Sequence, residues 1–149
     1  MATKLTRALW DLLESLGEDA GNFAAEFDHW KSLGSSGEYS HFWFGKDGAY
    51  SAPKVNGVAN MLRHVHLAPQ ADVAQLRRWK HAHRKGSRKT SDRALVYVSD
   101  PYSGHLLIYI LDEPNAHAVA DMATAPHRAA MLQYAKIADH FLQTGLVLA

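Results

Sequence analysis

The sequence predicts an α+β fold: N-terminal helices, a small mostly antiparallel sheet of three or more strands, and a C-terminal helix. Three observations point there. Residues 94–98 (ALVYV) and 106–111 (LLIYIL) are rich in β-branched and aromatic side chains, and the Asp100-Pro101 and Ser103-Gly104 pairs between them are turn chemistry, so a hairpin is expected. Its second strand is apolar on both faces, which places it at the centre of a sheet with protein on either side. Apolar residues also recur at helical spacing before and after the hairpin, and no glycine-rich phosphate motif follows a strand, which excludes a βαβ nucleotide fold.

In chain order, Leu5, Leu9, Leu12, Leu13 and Leu16 form one stripe behind Thr3 or Thr6 as N-cap, with Gly17 as the stop. Asn22 is placed to cap a second helix carrying Phe23, Phe27 and Trp30 on one side and ending at Gly34. Residues 1–34 are therefore read as a helical hairpin packed on the core. Residues 35–53 carry Gly37, Gly45, Gly48 and Pro53 among Tyr39, Phe42, Trp43, Phe44 and Tyr50, which suggests a loop folded back onto the core, with Lys46-Asp47-Gly48 as a turn. A short helix is expected over 55–62 and a strand over 63–67 (RHVHL). Val73, Leu76 and Trp79 give a helix over 72–79, whereas the polar run KHAHRKGSRKTSDR reads as a loop feeding the hairpin. Pro114 breaks the chain, and Asn115 caps a short helical turn through residues 117–122. Thr124 and Pro126 open a last helix with Met131, Tyr134, Ala135, Ala138, Phe141 and Leu142 inward, closed by Gly145.

With 149 residues, one domain spanning 1–149 is expected, its core over 41–149. The chain has no cysteine, so disulfides and thiolate chemistry are excluded. The acids within the first apolar run are unlike a secretory signal, and no apolar stretch reaches membrane-spanning length, so a cytoplasmic protein without a membrane partner is expected. The net charge of +1 conceals a strong asymmetry. Residues 1–30 hold six acids against two bases, whereas residues 77–93 hold eight bases against Asp92 alone. Half of all Lys and Arg thus lie in one segment, for which a polyanion is the natural partner.

Ten histidines are the second anomaly. His64 and His66 alternate on a predicted strand and so share one face. His81 and His83 form a second pair, and two His-x-His pairs are also a possible metal chelate, though no carboxylate stands at a telling spacing. Imidazole, Arg, Lys and Tyr with few acids match instead the needs of metal-independent RNA cleavage. A base takes the 2′-hydroxyl proton, an acid protonates the departing 5′-oxygen, and cations offset charge on the phosphoryl oxygens. Neither a metal nor a cofactor is expected on that reading.

The succession FGKDGAY (44–50), HVHLA (64–68), QLRRW (75–79), TSDRALVYV (90–98), LLIYILDEPNAH (106–117) and MLQYAKIADHF (131–141) resembles the YafO-type toxins of bacterial type II toxin–antitoxin systems. The resemblance covers roughly the last two-thirds of the chain. KHAHRKG (80–86) stands as an insertion relative to shorter members, so His81 and His83 are not carried over, and Leu132 stands where a polar residue is expected. What the resemblance implies is a compact fold comparable to the RelE-like ribosomal nucleases, cutting mRNA on the ribosome and held inactive by a cognate antitoxin protein. Carried over by motif, the candidate catalytic residues are His64 and His66 for proton transfer, Arg88 for the phosphate, Asp92 as an orienting group or cap, and Tyr97 and His117. Tyr97 and Tyr109 are expected half-buried, with their hydroxyls at the edge of the cleft. Arg84, Lys85, Lys89 and Arg93 are expected to grip RNA backbone by charge. Two other readings stay open: a toxin of similar architecture directed at a non-RNA target such as a topoisomerase, and a non-catalytic RNA-binding module.

Overall fold

The computed structural model describes residues 3–148. They run as β1 (Lys4–Leu5), α1 (Arg7–Ser15), α2 (Ala20–Ser32), a 3₁₀ turn (Gly34–Ser36), α3 (Gly37–Ser40), β2 (Phe44–Ala49), β3 (Arg63–Leu67), α4 (Val73–Arg84), β4 (Ala94–Asp100), β5 (Gly104–Leu111), α5 (Ala116–Asp121) and α6 (Ala125–Thr144). The strands form one sheet in the order β1-β5-β4-β3-β2. β1 lies parallel to β5, and the other pairings are antiparallel. This is the expected α+β architecture.

The predicted hairpin forms, and β4 rather than β5 is the middle strand. Both strands are nevertheless sealed on both faces. Val96, Val98, Leu106 and Ile108 meet Met131, Ala135, Ala138 and Phe141 of α6 on one side. Leu95, Tyr97, Leu107 and Ile110 meet Leu9 and Leu13 of α1 and Phe27 and Trp30 of α2 on the other. Each such fully buried side chain contributes about 2 kcal/mol of transfer free energy. A register shift between Val96 and Tyr97 lets β4 and β5 keep both faces filled despite one unequal residue count.

Several local expectations change. Lys4 and Leu5 do not extend the first helix but pair with Leu106 and Leu107 as β1, and Thr6 is the cap of α1, its hydroxyl accepting from the Leu9 amide at 3.1 Å. Asp19, not Asn22, caps α2. Lys46-Asp47-Gly48 is part of β2 rather than a turn, because Asp47 and Gly48 pair with Val65 and His64. The helix expected over 55–62 is replaced by turns. Asn56, Gly57 and Asn60 all have positive φ, which Asn and Gly tolerate and a right-handed helix forbids. The basic run 80–84 continues α4 instead of forming a loop, since Trp79 Nε1 donates to the Phe42 carbonyl at 2.7 Å and His83 packs edge-on against the Phe42 ring.

Gly45 fixes how β2 passes the segment before β4. A Cβ there would lie 2.4 Å from the Lys89 carbonyl oxygen and 2.9 Å from the Trp79 ring, so only glycine fits. The adjacent Lys46 amide donates to that same Lys89 carbonyl at 2.9 Å. Lys46 is thereby held beside the residues leading into β4.

Candidate active site

Alternation along β3 turns Val65 and Leu67 toward α1 and α2, and leaves His64 and His66 on the opposite face. There they meet the 90–92 segment and the start of α5. His64 and His66 have ring centroids 5.8 Å apart, and His66 and His117 have theirs 5.9 Å apart. His66 and His117 border a cleft of about 460 Å³, together with Lys46, Gln75, Arg78 and Asp92. A strand histidine, a helix histidine and two cations that are distant in sequence thus share one opening.

Each ring is held differently. His66 is 7% exposed, and its Nδ1 lies 2.8 Å from the Ser91 carbonyl oxygen and 2.9 Å from the Ser91 amide nitrogen. Ser91 therefore offers that nitrogen an acceptor or a donor, so either tautomer is held in place. Its Nε2 makes no hydrogen bond among the described residues. Burial lowers the His66 pKa, against the opposing Ser91 hydrogen bond, and favours the neutral ring. His117 is exposed, and both its Nδ1 and its backbone N–H meet the same Asp92 oxygen, at 2.7 and 2.8 Å. That pairing fixes the tautomer in which Nδ1 carries a proton and Nε2 is available. Asp92 is positioned in turn, its amide donating to Gln75 Oε1 at 2.9 Å while Gln75 Nε2 donates to Asp72 at 3.2 Å.

His64 sits deeper. Its ring stacks on Tyr50, with centroids 4.2 Å apart and planes at 16°, and its Nδ1 is buried without a partner among the described residues. Burial, then the neighbouring His66, lowers its pKa to about 4. The ring stays neutral at physiological pH and supports His66 from behind.

The structure brings His64, His66, Asp92 and His117 together but separates the other candidates. Arg88 pairs with Glu38 at 3.4 Å and lies over the Tyr39 ring, so the cations lining the cleft are Lys46 and Arg78 instead. Tyr97 points to the opposite face of the sheet, where its hydroxyl donates to Asp47 and receives Arg63 Nε at 3.3 Å. Lys89 is fully buried, its ammonium donating to the Tyr39 carbonyl at 2.8 Å, and Arg93 is buried against Asp112 at 3.3 Å and the Ala68 carbonyl. Both are thus buried and engaged within the chain rather than exposed, and they staple the segment before β4 to its surroundings. Arg84 and Lys85 are exposed at the C-terminal end of α4. Tyr109 is half-buried as expected but stacks on Tyr134 and does not line the cleft, and Tyr97 is fully buried rather than half-buried.

Lys46, Gln75, Arg78 and Ser91 line the cleft and are not among the candidates from the sequence. The only sequence signal for Gln75 and Arg78 was helical spacing, which puts them three apart on one side of α4. No group of three or more His, Cys, Asp or Glu side chains among the described residues is placed to hold a metal ion. No helix there is long and apolar enough to cross a membrane.

The match to the family model described as Toxin YafO, type II toxin-antitoxin system, extends over residues 28–143. The chain belongs to that family, and an antitoxin partner follows from the membership. No curated protein and no solved structure matches it.

Proposed function

We propose that this toxin is an endoribonuclease that cuts mRNA on the ribosome by transesterification, with His66 and His117 as the proton-transfer pair. The observation that carries the reading is the pair itself: two imidazoles 5.9 Å apart, one buried and backbone-held, one on a carboxylate, beside Lys46 and Arg78. In the reaction the 2′-oxygen attacks the adjacent phosphorus and loses its proton to His66. The P–O5′ bond breaks, and the departing 5′-oxygen takes the Nε2 proton of His117, which enters the step protonated on both ring nitrogens. The products are a 2′,3′-cyclic phosphate and a 5′-hydroxyl. Asp92 keeps His117 aimed and gives its charged form a partner, while Lys46 and Arg78 offset charge on the non-bridging oxygens. The exposed cations of α4, from Arg77 to Lys85, extend a positive surface from the cleft along which a polyanion can lie.

The test is induction in growing cells, followed by mapping of new RNA ends. Cleavage within translated codons that leaves 5′-hydroxyl ends, lost in His66→Ala and in His117→Ala, is the expected result. Growth arrest and cleavage that survive both changes overturn the assignment. DNA damage without RNA cuts would point instead to a topoisomerase-like target, and salt-sensitive RNA binding without scission to a binding module.

A further inference from the structure

We propose that the groove between α2 and the entry into β2 is a docking site for the antitoxin, and that it takes a lysine- or arginine-bearing segment of that protein. The inference rests on family membership and not on the nuclease reading.

The groove has a volume of about 240 Å³, enough for one or two side chains. Phe23 of α2 and Phe44 of β2 pack against each other along its wall at 5.8 Å between ring centroids, and Leu13, Leu67 and Ala68 complete the apolar lining. Trp43 stands at its edge, edge-on to Phe42 at 4.9 Å between ring centroids, with 55% of its surface still exposed. Leu16, 47% exposed, lies just beyond the end of α1.

The rim is acidic. Glu18, Asp19 and Glu26 border the groove. Asp19 is occupied as the α2 cap and Glu26 accepts from His41 Nε2 at 3.1 Å, whereas the Glu18 carboxylate makes no hydrogen bond or ion pair among the described residues. The basic residue on the lining, Arg93, is already engaged with Asp112 and the Ala68 carbonyl. A carboxylate rim repels phosphates, so this surface is unsuited to the polyanion that the α4 side attracts. An apolar slot with a carboxylate rim and exposed aromatic rings suits a long cationic side chain. The stem lies on Phe23 and Trp43, and the charged head reaches the carboxylates.

The two walls also differ in origin. The family match begins at residue 28, so Leu13, Glu18, Phe23 and Glu26 precede it, whereas Trp43, Phe44 and Leu67 lie within it. A groove made half of shared core and half of sequence outside the match is suited to distinguishing one antitoxin from another.

The experiment uses full-length toxin and the neighbouring gene product that relieves its growth arrest. Glu18→Lys and Trp43→Ala are expected to weaken binding of that protein by about 10-fold or more each, and the charge reversal should also flatten its salt dependence. Both variants should remain toxic and become poorly neutralised. Binding of both variants and of the double variant within about 2-fold of the parent would overturn the proposal. Hydrogen exchange on the parent complex gives a reading that does not depend on a variant folding. Protection of residues 18–26 and 42–44 is expected, and its absence overturns the assignment. His117→Ala separates the two readings, because it should lose RNA cleavage while binding the antitoxin unchanged.

Discussion

The two faces of the sheet around β3 are met by polar side chains of similar richness that are used in opposite ways. Toward α2, Asp47 accepts from the Tyr97 hydroxyl, from Arg63 Nη2 at 3.1 Å and from Lys31 Nζ at 3.3 Å, and Arg63 also reaches the Tyr97 oxygen. Every charge in that group has an opposite charge beside it. Burial, then Asp47, raises the Tyr97 pKa, so its hydroxyl stays protonated and serves as a donor. Toward α5, His66 and His117 each spend one ring nitrogen on a fixed partner, leaving the other uncommitted beside two exposed cations. A closed network holds structure together, whereas an oriented group with one free nitrogen can exchange a proton. On the proposed function, the contrast leaves Tyr97 to the scaffold and His117 to the chemistry, although both are candidates from the sequence.

The sharpest way to break this comparison is to delete a group from each face. His66→Ala or His117→Ala should lower RNA cleavage by about 10² to 10⁴-fold, read by primer extension, because each removes a proton-transfer group. His117 is exposed, so its variant should melt with the parent. Tyr97→Phe should leave cleavage within a few-fold of the parent. If Tyr97→Phe abolishes cleavage in a fully folded protein, the assignment of the two faces is reversed.

Smaller effects test the supporting groups. Asp92→Ala should cost about 10 to 100-fold in cleavage, since His117 loses both its Nδ1 and its amide partner while keeping its imidazole. Lys46→Ala should cost about 10-fold and reduce the salt dependence of substrate binding by roughly one phosphate contact. On the closed face, Tyr97→Phe should destabilise the fold by about 1 to 2 kcal/mol, measured as a lower urea midpoint at an unchanged slope. The donor lost there is buried, but Asp47 retains Arg63 and Lys31.

What could be read from the sequence follows the same division. The hairpin, the histidine strand and the last helix were legible because period and turn chemistry are local signals, and Thr124 and Gly145 do cap α6 as read. The pairing of His64 with His66 followed from strand alternation alone. The approach of His117 to His66 did not, because it depends on how α5 turns back across β3 and β4. Nor could charge distinguish exposed Arg84 from buried Lys89, since the ammonium of Lys89 is satisfied by carbonyls of α3, some fifty residues earlier in the chain. β2 was hidden because Gly45 and Gly48 look like turn residues. Gly45 is required there by the Lys89 backbone and the Trp79 ring, a long-range constraint with no local signature.

The least of the expected effects concerns stability against pH, and it probes the layer behind the proposed proton-transfer pair. His64 takes up its proton near 4 in the folded protein, against an ordinary value of 6.5. Between those values the unfolded chain therefore binds more protons than the folded one, so stability rises with pH there. The His64 contribution is complete above about pH 6.5 and is lost as pH falls toward 4. With allowance for its partial exposure, the loss between pH 7 and pH 5 should be about 1 to 2 kcal/mol. Burial lowers the pKa values of His41, His66 and His105 in the same direction, so the parent should weaken in acid by more than this one residue accounts for. His64→Phe keeps a ring to stack on Tyr50 and removes the titration. Urea melts from pH 7 to pH 5 should show a shallower decline for the variant than for the parent, while His66 still sets the acid limb of cleavage below the ordinary imidazole range. Parallel declines in the two proteins would mean that His64 takes up its proton without strain, and that the open face extends one residue deeper into the sheet.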